Sequence, residues 1–372
     1  MKQETQYIIV VANSVRMLAK AAKKAGFKPL SIDLYGDQDA IFCSEDHLKI
    51  PSLQKVHLTA AVRYFRNRYP VTHSVYGSGF EQYPDSLSVL SDDLILVGNQ
   101  PEVFAKSQDK ATFFSLLSTL GIPFPQVAFN VPDFEKDWLI KPMRGHGGYG
   151  IKKFRNNEVG SSLSSVYWQK YQQGEPHSVL FLANGEKCQI IGFNKQWTTA
   201  LNNKNEFVFS GIVNHTVLTC RQKSRLITWI EKLVAAFSLK GLNSLDFIQH
   251  GEESYVLEIN HRPPASMQLY GADLFVRHLK ACEGELDDLE QTHDDITGYQ
   301  VVYARQGLTI PRDFKWPEDT FDLPKANTII SAGQPICSMI THAQKPLAVH
   351  EQLSKQQAFI FNELNRFQTH GI

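Results

Sequence analysis

Apolar runs and amphipathic segments alternate over the first hundred residues of the chain. Residues 7–12 are continuously apolar, as is typical of a strand in a parallel sheet that is covered on both faces. A helix is predicted next, because Asn13 or Ser14 can cap it, Gly26 can end it, and apolar residues recur between them at helical spacing. Further elements are predicted at residues 29–33, 53–69 (helical), 72–76 and 94–98. This alternation predicts a Rossmann-like α/β domain over residues 1–100.

The pattern changes after residue 100. One helix is predicted over residues 101–120, and the prolines of residues 121–125 prevent its continuation. The elements that follow are predicted as a strand-rich stretch to residue 217, a helix at 221–239, a β-hairpin at 243–260, a helix at 272–282, and short strands with a final helix beyond residue 300. The acidic segment 283–290 reads as a boundary, so two further units are expected at residues 101–290 and 291–372.

Composition narrows the class of protein. The 372 residues are 42% hydrophobic and 20% charged, which is ordinary for a globular protein of two or three domains. The chain has 38 Lys and Arg residues and 38 Asp and Glu residues. Its net charge therefore gives no reason to expect binding to nucleic acid or to an anionic membrane. The first apolar run is too short for a signal-peptide core or a membrane span. Five scattered cysteines without a C-x-x-C pair indicate buried thiols in a reducing compartment, so a cytoplasmic protein is expected.

Oxygen-bearing side chains are concentrated in the predicted hairpin. Glu258 and Asn260 share a strand face, and Asp246 on the preceding strand faces away from its apolar neighbours. Two carboxylates and an amide oxygen suit a hard cation such as Mg²⁺, and Arg262 could neutralise a phosphate beside it. Alternatively, these three side chains form the polar outer face of a half-exposed hairpin and bind no metal.

A glycine-rich segment follows a predicted strand that ends at Lys141. Four glycines lie within residues 145–150, where they allow close approach of the backbone to a phosphate, while Lys141 and Arg144 add charge. The segment is not a Walker A loop, because its lysine precedes the glycines. In the N-terminal domain there is no G-x-G-x-x-G, so that domain does not indicate a dinucleotide. A flap over a nucleotide and a mobile surface hairpin are both open interpretations.

Three further parts of the chain give weaker indications of a ligand site. Lys110 falls in the first turn of a helix, which is unfavourable unless an anion is close, although it could also be a solvated lysine. Residues 169–174 end a strand in a polar turn that could serve as a hinge against an adenine edge, with Glu175 or Pro176 at the position that meets the ribose. The loops at residues 33–37 and 77–81 follow strands, where open α/β sheets bind ligands, although each could also be a turn that merely needs glycine. The histidines show no metal-ligand spacing.

In this order, these segments resemble the ATP-grasp superfamily of ligases. The resemblance rests on Lys110 before a helix and Leu-Gly-Ile-Pro-Phe-Pro, Lys141 with its glycine flap, the hinge at residues 169–174, and the hairpin with Arg262; it covers residues 7–345. It implies a mixed α/β and α+β architecture with a Rossmann-like N-terminal domain, a two-lobed ATP-binding region and a small β-rich C-terminal region. Within the superfamily, the chain is most similar to the branch of tyramine–glutamate ligase and related enzymes of methanofuran- or methanopterin-type cofactor assembly.

The resemblance also implies an activity. ATP would phosphorylate a small-molecule carboxylate, with glutamate as one candidate, and an amine would displace phosphate from the acylphosphate. The loops at residues 33–37 and 77–81 and His215 would lie on the side of the acceptor substrate. Mg²⁺ or Mn²⁺ would be bound by Asp246, Glu258 and Asn260, and the catalytic residues would be Arg262, Lys141 and Arg144. The nucleotide would be bound by Lys110, Lys141, Gly145, Gly147, Gly148, Gln169, Lys170, Tyr171 and Glu175. The expected partners are small molecules, without nucleic acid or membrane, and a homodimer is an allowed assembly. An ATP-grasp kinase and a nucleotide-binding sensor are the alternatives.

Overall fold

The computed structural model describes residues 6–132, 137–155, 165–271, 273–287 and 295–369. Strands and helices alternate in the N-terminal part: β1 (Tyr7–Val11), α1 (Arg16–Lys24), β2 (Lys28–Asp33), α2 (Gln38–Cys43), β3 (Asp46–Lys49), α3 (Lys55–Arg66), β4 (His73–Tyr76), a 3₁₀-helix (Pro84–Leu90) and β5 (Ile95–Val97). The strands are parallel in the order β3-β2-β1-β4-β5. The order reverses between β1 and β4, so the loops after these strands meet at one edge, where open α/β sheets bind ligands.

Two local features of this domain differ from the sequence prediction. The pattern did not indicate α2 and β3, which are too short to show a clear period. Neither Asn13 nor Ser14 caps α1, whose N-cap is Val15. The Asn13 amide instead donates to His146 Nε2 at 2.9 Å, and the Ser14 hydroxyl donates to Asp322 at 3.0 Å. Both side chains therefore bond to residues far away in the sequence instead of capping α1.

The segment predicted as one helix over residues 101–120 is two helices, α4 (Pro101–Gln108) and α5 (Lys110–Thr119). Asp109 adopts an extended conformation between them, and its carboxylate accepts a hydrogen bond from the Thr112 amide at 2.7 Å. This N-cap starts a new helix because it satisfies an amide that has no partner within the helix. The break places Lys110 at the beginning of α5.

The elements after α5 are β6 (Val127–Ala128), β7 (Trp138–Pro142), β8 (Lys152–Lys153), β9 (Val166–Lys170), β10 (Glu175–Asn184), β11 (Cys188–Thr199), β12 (Val208–Val213), α6 (Cys220–Phe237), β13 (Lys240–His250), β14 (Glu253–Asn260), a 3₁₀-helix (Ala265–Leu269), α7 (Leu274–Glu283), β15 (Ile296–Tyr303), β16 (Leu308–Thr309), β17 (Thr320–Phe321), β18 (Ile329–Ile330), β19 (Pro335–Ala343) and α8 (Pro346–Thr369). A large antiparallel sheet has the order β14-β13-β10-β11-β12-β15-β19-β17, and a small one has the order β6-β9-β7-β8. The large sheet continues across residue 290, where the sequence suggests a domain boundary. The prediction of a mixed α/β and α+β fold is confirmed.

The apolar face of the β13–β14 hairpin lies in a core with α5, α6 and β10. Leu245, Phe247 and Val256 are fully buried there, and burial of such side chains stabilises the fold by about 1.5–3 kcal/mol each. A bulge between Asp246 and Phe247 changes the register, so Leu257 lines a cleft instead of facing this core as simple alternation predicts. In the part of the chain that the structure describes, no helix is long and apolar enough to span a membrane.

Candidate functional site

A cleft of about 830 Å³ lies where the two antiparallel sheets meet the loops of the parallel sheet. The N-terminal domain contributes Tyr35, Gly36, Asp37, Gly77 and Ser78, so parts of both predicted acceptor loops reach it, whereas His215 does not line it. The cleft also includes these residues of the predicted site: Lys141, Gly147, Gly148, Gln169, Lys170, Tyr171, Asp246, Glu258, Asn260 and Arg262. Residues far apart in sequence thus converge on one cavity.

The hairpin brings its three oxygen-bearing side chains together. Asp246 lies opposite Glu258 in the strand register, and Asn260 lies opposite Ser244. The Asn260 amide donates to Asp246 Oδ2 at 3.0 Å, and Gln196 on β11 donates to Asp246 Oδ1 at 3.4 Å. Strand alternation therefore predicted this convergence correctly, although Gln196 carried no signal in the sequence.

The electrostatics of this face suit a divalent cation. Burial raises the pKa of the Asp246 carboxyl above its ordinary value, and the nearby Glu258 carboxylate raises it further. A bound cation would remove both penalties, because it stabilises the ionised form of each carboxylate. Among the described residues, no group of three or more His, Cys, Asp and Glu side chains could hold a metal ion. The hairpin trio has two carboxylates and an amide, a small set that fits Mg²⁺ completed by water and phosphate oxygens.

Two buried lysines lie beside the hairpin. Lys110 is 7% exposed, with its Nζ 3.9 Å from Glu258 Oε2, so the solvated-lysine alternative is wrong. Lys110 does not itself line the cleft. Lys141 is 8% exposed and donates to Gln169 Oε1 at 3.1 Å. Burial lowers the pKa of Lys141, while Glu258 and Asp246 oppose this shift from a distance. Since no carboxylate of the described chain forms an ion pair with Lys141, an anion in the cleft would compensate its buried charge.

Two buried polar groups on the cleft wall lack a hydrogen-bond partner among the described residues. They are the Gln169 Nε2 amide and the His177 Nε2 ring nitrogen, from residues that are 2% and 1% exposed. Buried polar atoms are normally satisfied, so these atoms suit the ring nitrogens and amino group of a heterocyclic base. Sequence analysis assigned no role to His177. Glu175, the predicted ribose contact, instead pairs with Lys195 at 2.5 Å and does not line the cleft.

The glycine segment is held against β12 and the loop that precedes it. The Phe209 amide donates to Gly147 O and the Glu206 amide donates to Ile151 O, each at 2.9 Å. The Gly150 amide donates to the Asn205 side chain at 2.8 Å. Residues 145–151, called the flap below, therefore form a docked cover rather than a free hairpin. Arg144 and Gly145 do not line the cleft, and Arg144 is exposed.

Gly148 is the tightest point of the docked flap. Its φ is +78°, and a Cβ atom there would lie 2.0 Å from Phe207 O. We expect Gly148→Ala to undock the flap, because a backbone carbonyl cannot move aside as a flexible side chain can. The readout is hydrogen–deuterium exchange at the Phe209 and Glu206 amides, which should become faster.

Gly147→Ala is the matched control for this experiment. Gly147 also has a positive φ, of +61°, but the nearest atom to an added Cβ is a Tyr149 ring carbon at 3.8 Å. Both variants carry left-handed strain of roughly 1–2 kcal/mol, and only one carries the clash. Equal exchange rates in the two variants would contradict the docked arrangement.

Arg262 is held by a residue of the N-terminal domain. Its Nε donates to Glu81 Oε1 at 2.5 Å, and the Gly79 amide donates to Glu81 Oε2 at 2.7 Å. Burial alone would raise the pKa of Glu81, but Arg262 outweighs it and holds the pKa below its usual value. The loop after β4 thus fixes the arginine beside the hairpin trio. The sequence placed Glu81 in a substrate loop but gave no sign of this pairing.

Comparisons with known proteins agree with this geometry. Residues 107–266 match the model of the ATP-grasp domain. The chain is 21% identical over 357 residues to an uncharacterized protein of Methanocaldococcus jannaschii, covering 89% of this chain and 87% of that protein. The biotin carboxylase domain of Hydrogenobacter thermophilus 2-oxoglutarate carboxylase, solved with MgADP, ADP and bicarbonate, superposes with a TM-score of 0.74 at 13% identity, covering 95% of this chain and 90% of that one. L-amino acid ligase from Bacillus licheniformis gives 0.71 at 11% identity, with 96% and 98% covered. At these identities the solved structures establish the shared fold.

Proposed function

We propose that this chain, whose residues 107–266 match the ATP-grasp domain, uses Mg-ATP to join a small-molecule carboxylate to an amine. The observation that carries the proposal is the meeting of opposite charges around the hairpin: Lys141 lines the cleft together with the trio, and Lys110, outside the lining, contacts Glu258. The buried Lys110 and Lys141 adjoin the carboxylate–amide trio of the hairpin. A site that needs both an anion and a divalent cation fits a metal-bound polyphosphate.

Each of these groups, together with the residues of the cleft wall, has a proposed role. Lys110 and Lys141 bind the phosphates, and Gln169, Lys170, Tyr171 and His177 contact the base. Asp246, Glu258 and Asn260 would hold Mg²⁺, which when bound neutralises charge on the transferring phosphoryl group. Arg262, oriented by Glu81, stabilises the phosphoryl oxygens or the acyl phosphate as it forms.

The flap would also exclude water from the reaction. An acylphosphate hydrolyses when water reaches it, so the intermediate has to be covered until the amine attacks. The docked flap lies over the cleft and extends to the N-terminal domain through the bond between His146 and Asn13. Its position supports a ligase that protects a reactive intermediate. Glutamate as the acid, a role in cofactor biosynthesis and a cytoplasmic location remain predictions from the sequence.

A product assay tests the proposal. ADP and free phosphate are measured with Mg-ATP and a panel of carboxylates, glutamate included, with and without primary amines. A ligase is expected to release both products only when acid and amine are present together. A phosphorylated product without free phosphate would indicate a kinase, and no ATP binding in any mixture would indicate that the catalytic proposal is wrong.

Lys141→Met tests the phosphate role separately. Kcat/KM for ATP should fall about 100-fold, equivalent to about 2.7 kcal/mol, because the variant loses a buried charge aimed at the phosphates. The melting temperature should fall little, because the lost hydrogen bond to Gln169 is offset by the removal of a buried charge that has no ion-pair partner among the described residues. Lys55→Met, on the exposed surface of α3, is the control. Unchanged ATP kinetics in Lys141→Met would contradict the assigned role.

A further inference from the structure

A second cavity, of about 520 Å³, adjoins the cleft. It lies between the end of β11, β15 with the segment that follows it, and α8. Thr198, Val301 and Tyr303 line both cavities, so the two share part of their wall. A volume of this size is typical of sites for small molecules. None of the residues assigned above to the nucleotide, the metal or phosphoryl transfer lines it.

Arg305 supplies the charge of this second cavity. Among the described residues that line it, no other side chain is charged. The guanidinium carbon lies 4.5 Å from the centre of the Phe361 ring, and no carboxylate or other acceptor of the described chain bonds to the guanidinium. A ring that covers one face of a guanidinium leaves its N–H edge free. That edge matches the two oxygens of a carboxylate or phosphate.

Neutral hydrogen-bond donors complete the wall around Arg305. The Gln300 amide donates to Gln357 Oε1 at 2.8 Å, and the Gln357 amide nitrogen has no hydrogen-bond partner of its own within the described chain. The hydroxyls of Thr198 and Thr199 also lack a described partner. No described Asp or Glu lines the cavity, so no carboxylate of its wall repels an anion. A cation and several free donors without an acid indicate a negatively charged ligand.

Two residues of the second cavity also hold the flap. The flap residue Tyr149 meets the Tyr303 ring edge to face, with centroids 6.5 Å apart, and its hydroxyl donates to Gly333 O at 3.5 Å. The Tyr303 hydroxyl donates to Phe209 O at 2.8 Å, and the Phe209 amide donates to Gly147 O of the flap at 2.9 Å. Tyr303 and Gly333 therefore contact the flap on one side and line the second cavity on the other.

The turn between β11 and β12 makes a second connection. Asn202 lines the second cavity, and its Oδ1 accepts from Asn205 Nδ2 at 3.1 Å. Asn205 Oδ1 in turn accepts from the Gly150 amide of the flap at 2.8 Å. The Leu201 amide donates to Asn205 O at 2.9 Å, which closes the turn. A ligand that orders this turn would therefore also fix an anchor of the flap.

We propose that the second cavity is a regulatory site for a small organic anion, a carboxylate or a phosphate ester, which binds Arg305 and stabilises the docked flap. The docked flap holds Tyr303, Gly333 and Asn202 in the positions that shape the cavity, and an undocked flap releases them. An anion that binds the shaped cavity more tightly shifts the equilibrium towards docking. This inference goes beyond the reaction proposed for the cleft and does not depend on it.

Hydrogen–deuterium exchange of the full chain tests the site without turnover. Succinate and glycerol 3-phosphate are the two probes, and the readout is exchange at the Glu206 and Phe209 amides, which bond to the flap. A bound probe should slow this exchange roughly tenfold at ten times its dissociation constant. Arg305→Gln should raise the concentration for half-maximal slowing about tenfold or more, because charged hydrogen bonds are lost. Arg312→Gln, at an exposed arginine that lines neither cavity, is the matched control and should match wild type.

Lys141→Met distinguishes the second cavity from the cleft. Slowing that is retained in Lys141→Met and lost in Arg305→Gln would support the site, and slowing by one probe alone would identify the anionic group. Slowing that is lost in Lys141→Met and retained in Arg305→Gln would place the anion in the cleft and overturn the inference. No slowing with either probe would overturn it as well. Since ATP is absent from these measurements, a failed product assay would leave their outcome unchanged.

Discussion

Glu258→Gln is expected to lower ATP turnover by roughly 10²- to 10³-fold and to leave the fold intact. The substitution removes one of the two carboxylates of the hairpin trio, so the charge that would hold Mg²⁺ is halved. The side chain is 37% exposed, and its contact with Lys110 is 3.9 Å long. Its loss should therefore change the melting temperature by less than about 2 °C. Steady-state kinetics at several Mg²⁺ concentrations and a thermal melt provide the measurement.

Glu252→Gln, in the exposed turn of the same hairpin, is the control for that experiment. It removes the same charge from the same supersecondary unit but lies away from the cleft. A large loss of stability in Glu258→Gln would mean that the carboxylate is structural. Full turnover at ordinary Mg²⁺ would exclude it from the metal site.

Asp322→Asn is expected to destabilise the protein by about 3–5 kcal/mol. Arg16 on α1 donates to both Asp322 oxygens, at 3.0 and 3.1 Å, and is 3% exposed. The variant leaves this buried guanidinium with only a longer contact of 3.9 Å to Asp39, and it also alters hydrogen bonds from Ser14 and Ser338. Asparagine is the informative replacement, because residue 322 has a φ of 56° that Asn tolerates, so little backbone strain is added. Chemical denaturation of the purified protein measures the change.

The double variant Arg16→Met with Asp322→Asn is the matched control. Removal of the charge that was left unpaired should recover part of the lost stability. The pH dependence gives an independent check. Burial would raise the pKa of Asp322, but Arg16 outweighs it and holds the pKa below its ordinary value. The stabilisation is therefore present above the unfolded-state pKa and is lost as the pH falls through the folded-state pKa. A wild-type and an Asp322→Asn protein with the same acid sensitivity would contradict this account.

Much of the fold could be predicted from local pattern. The apolar runs placed β1, β2, β4 and β5, and helical periodicity placed α1, α3 and α6, because an exposed or buried face repeats within a few residues. Short elements such as α2 and β3 gave too few residues for a period. The break at Asp109 was missed because a cap depends on one side chain and not on periodicity. The bulge at Leu257 was missed because register depends on the partner strand.

Some features of the candidate site could likewise be predicted from local pattern, and others could not. Strand alternation was enough to bring Glu258, Asn260 and Asp246 together, since the hairpin is local in sequence. The burial of Lys110 and the unpartnered atoms of Gln169 and His177 depend on how separate sheets approach each other. Glu175 was predicted to contact the ribose because of its position in the sequence. In the structure it pairs instead with Lys195 of the adjacent strand. The roles of these residues remain predictions until the variants are measured.

The sequence by itself determined the parallel and antiparallel parts of the fold and the order of the ATP-grasp segments, because these follow from periodicities and motifs a few residues long. Only the tertiary structure decided which charges are paired. Arg262 and Glu81 are 181 residues apart in the chain, and Arg16 and Asp322 are 306 apart, yet both pairs form within hydrogen-bond distance. The same assembly leaves Asp37 buried on the cleft wall without a described partner. Burial and charge compensation depend on every surrounding element, so no local pattern could have shown which buried charges are left without a partner.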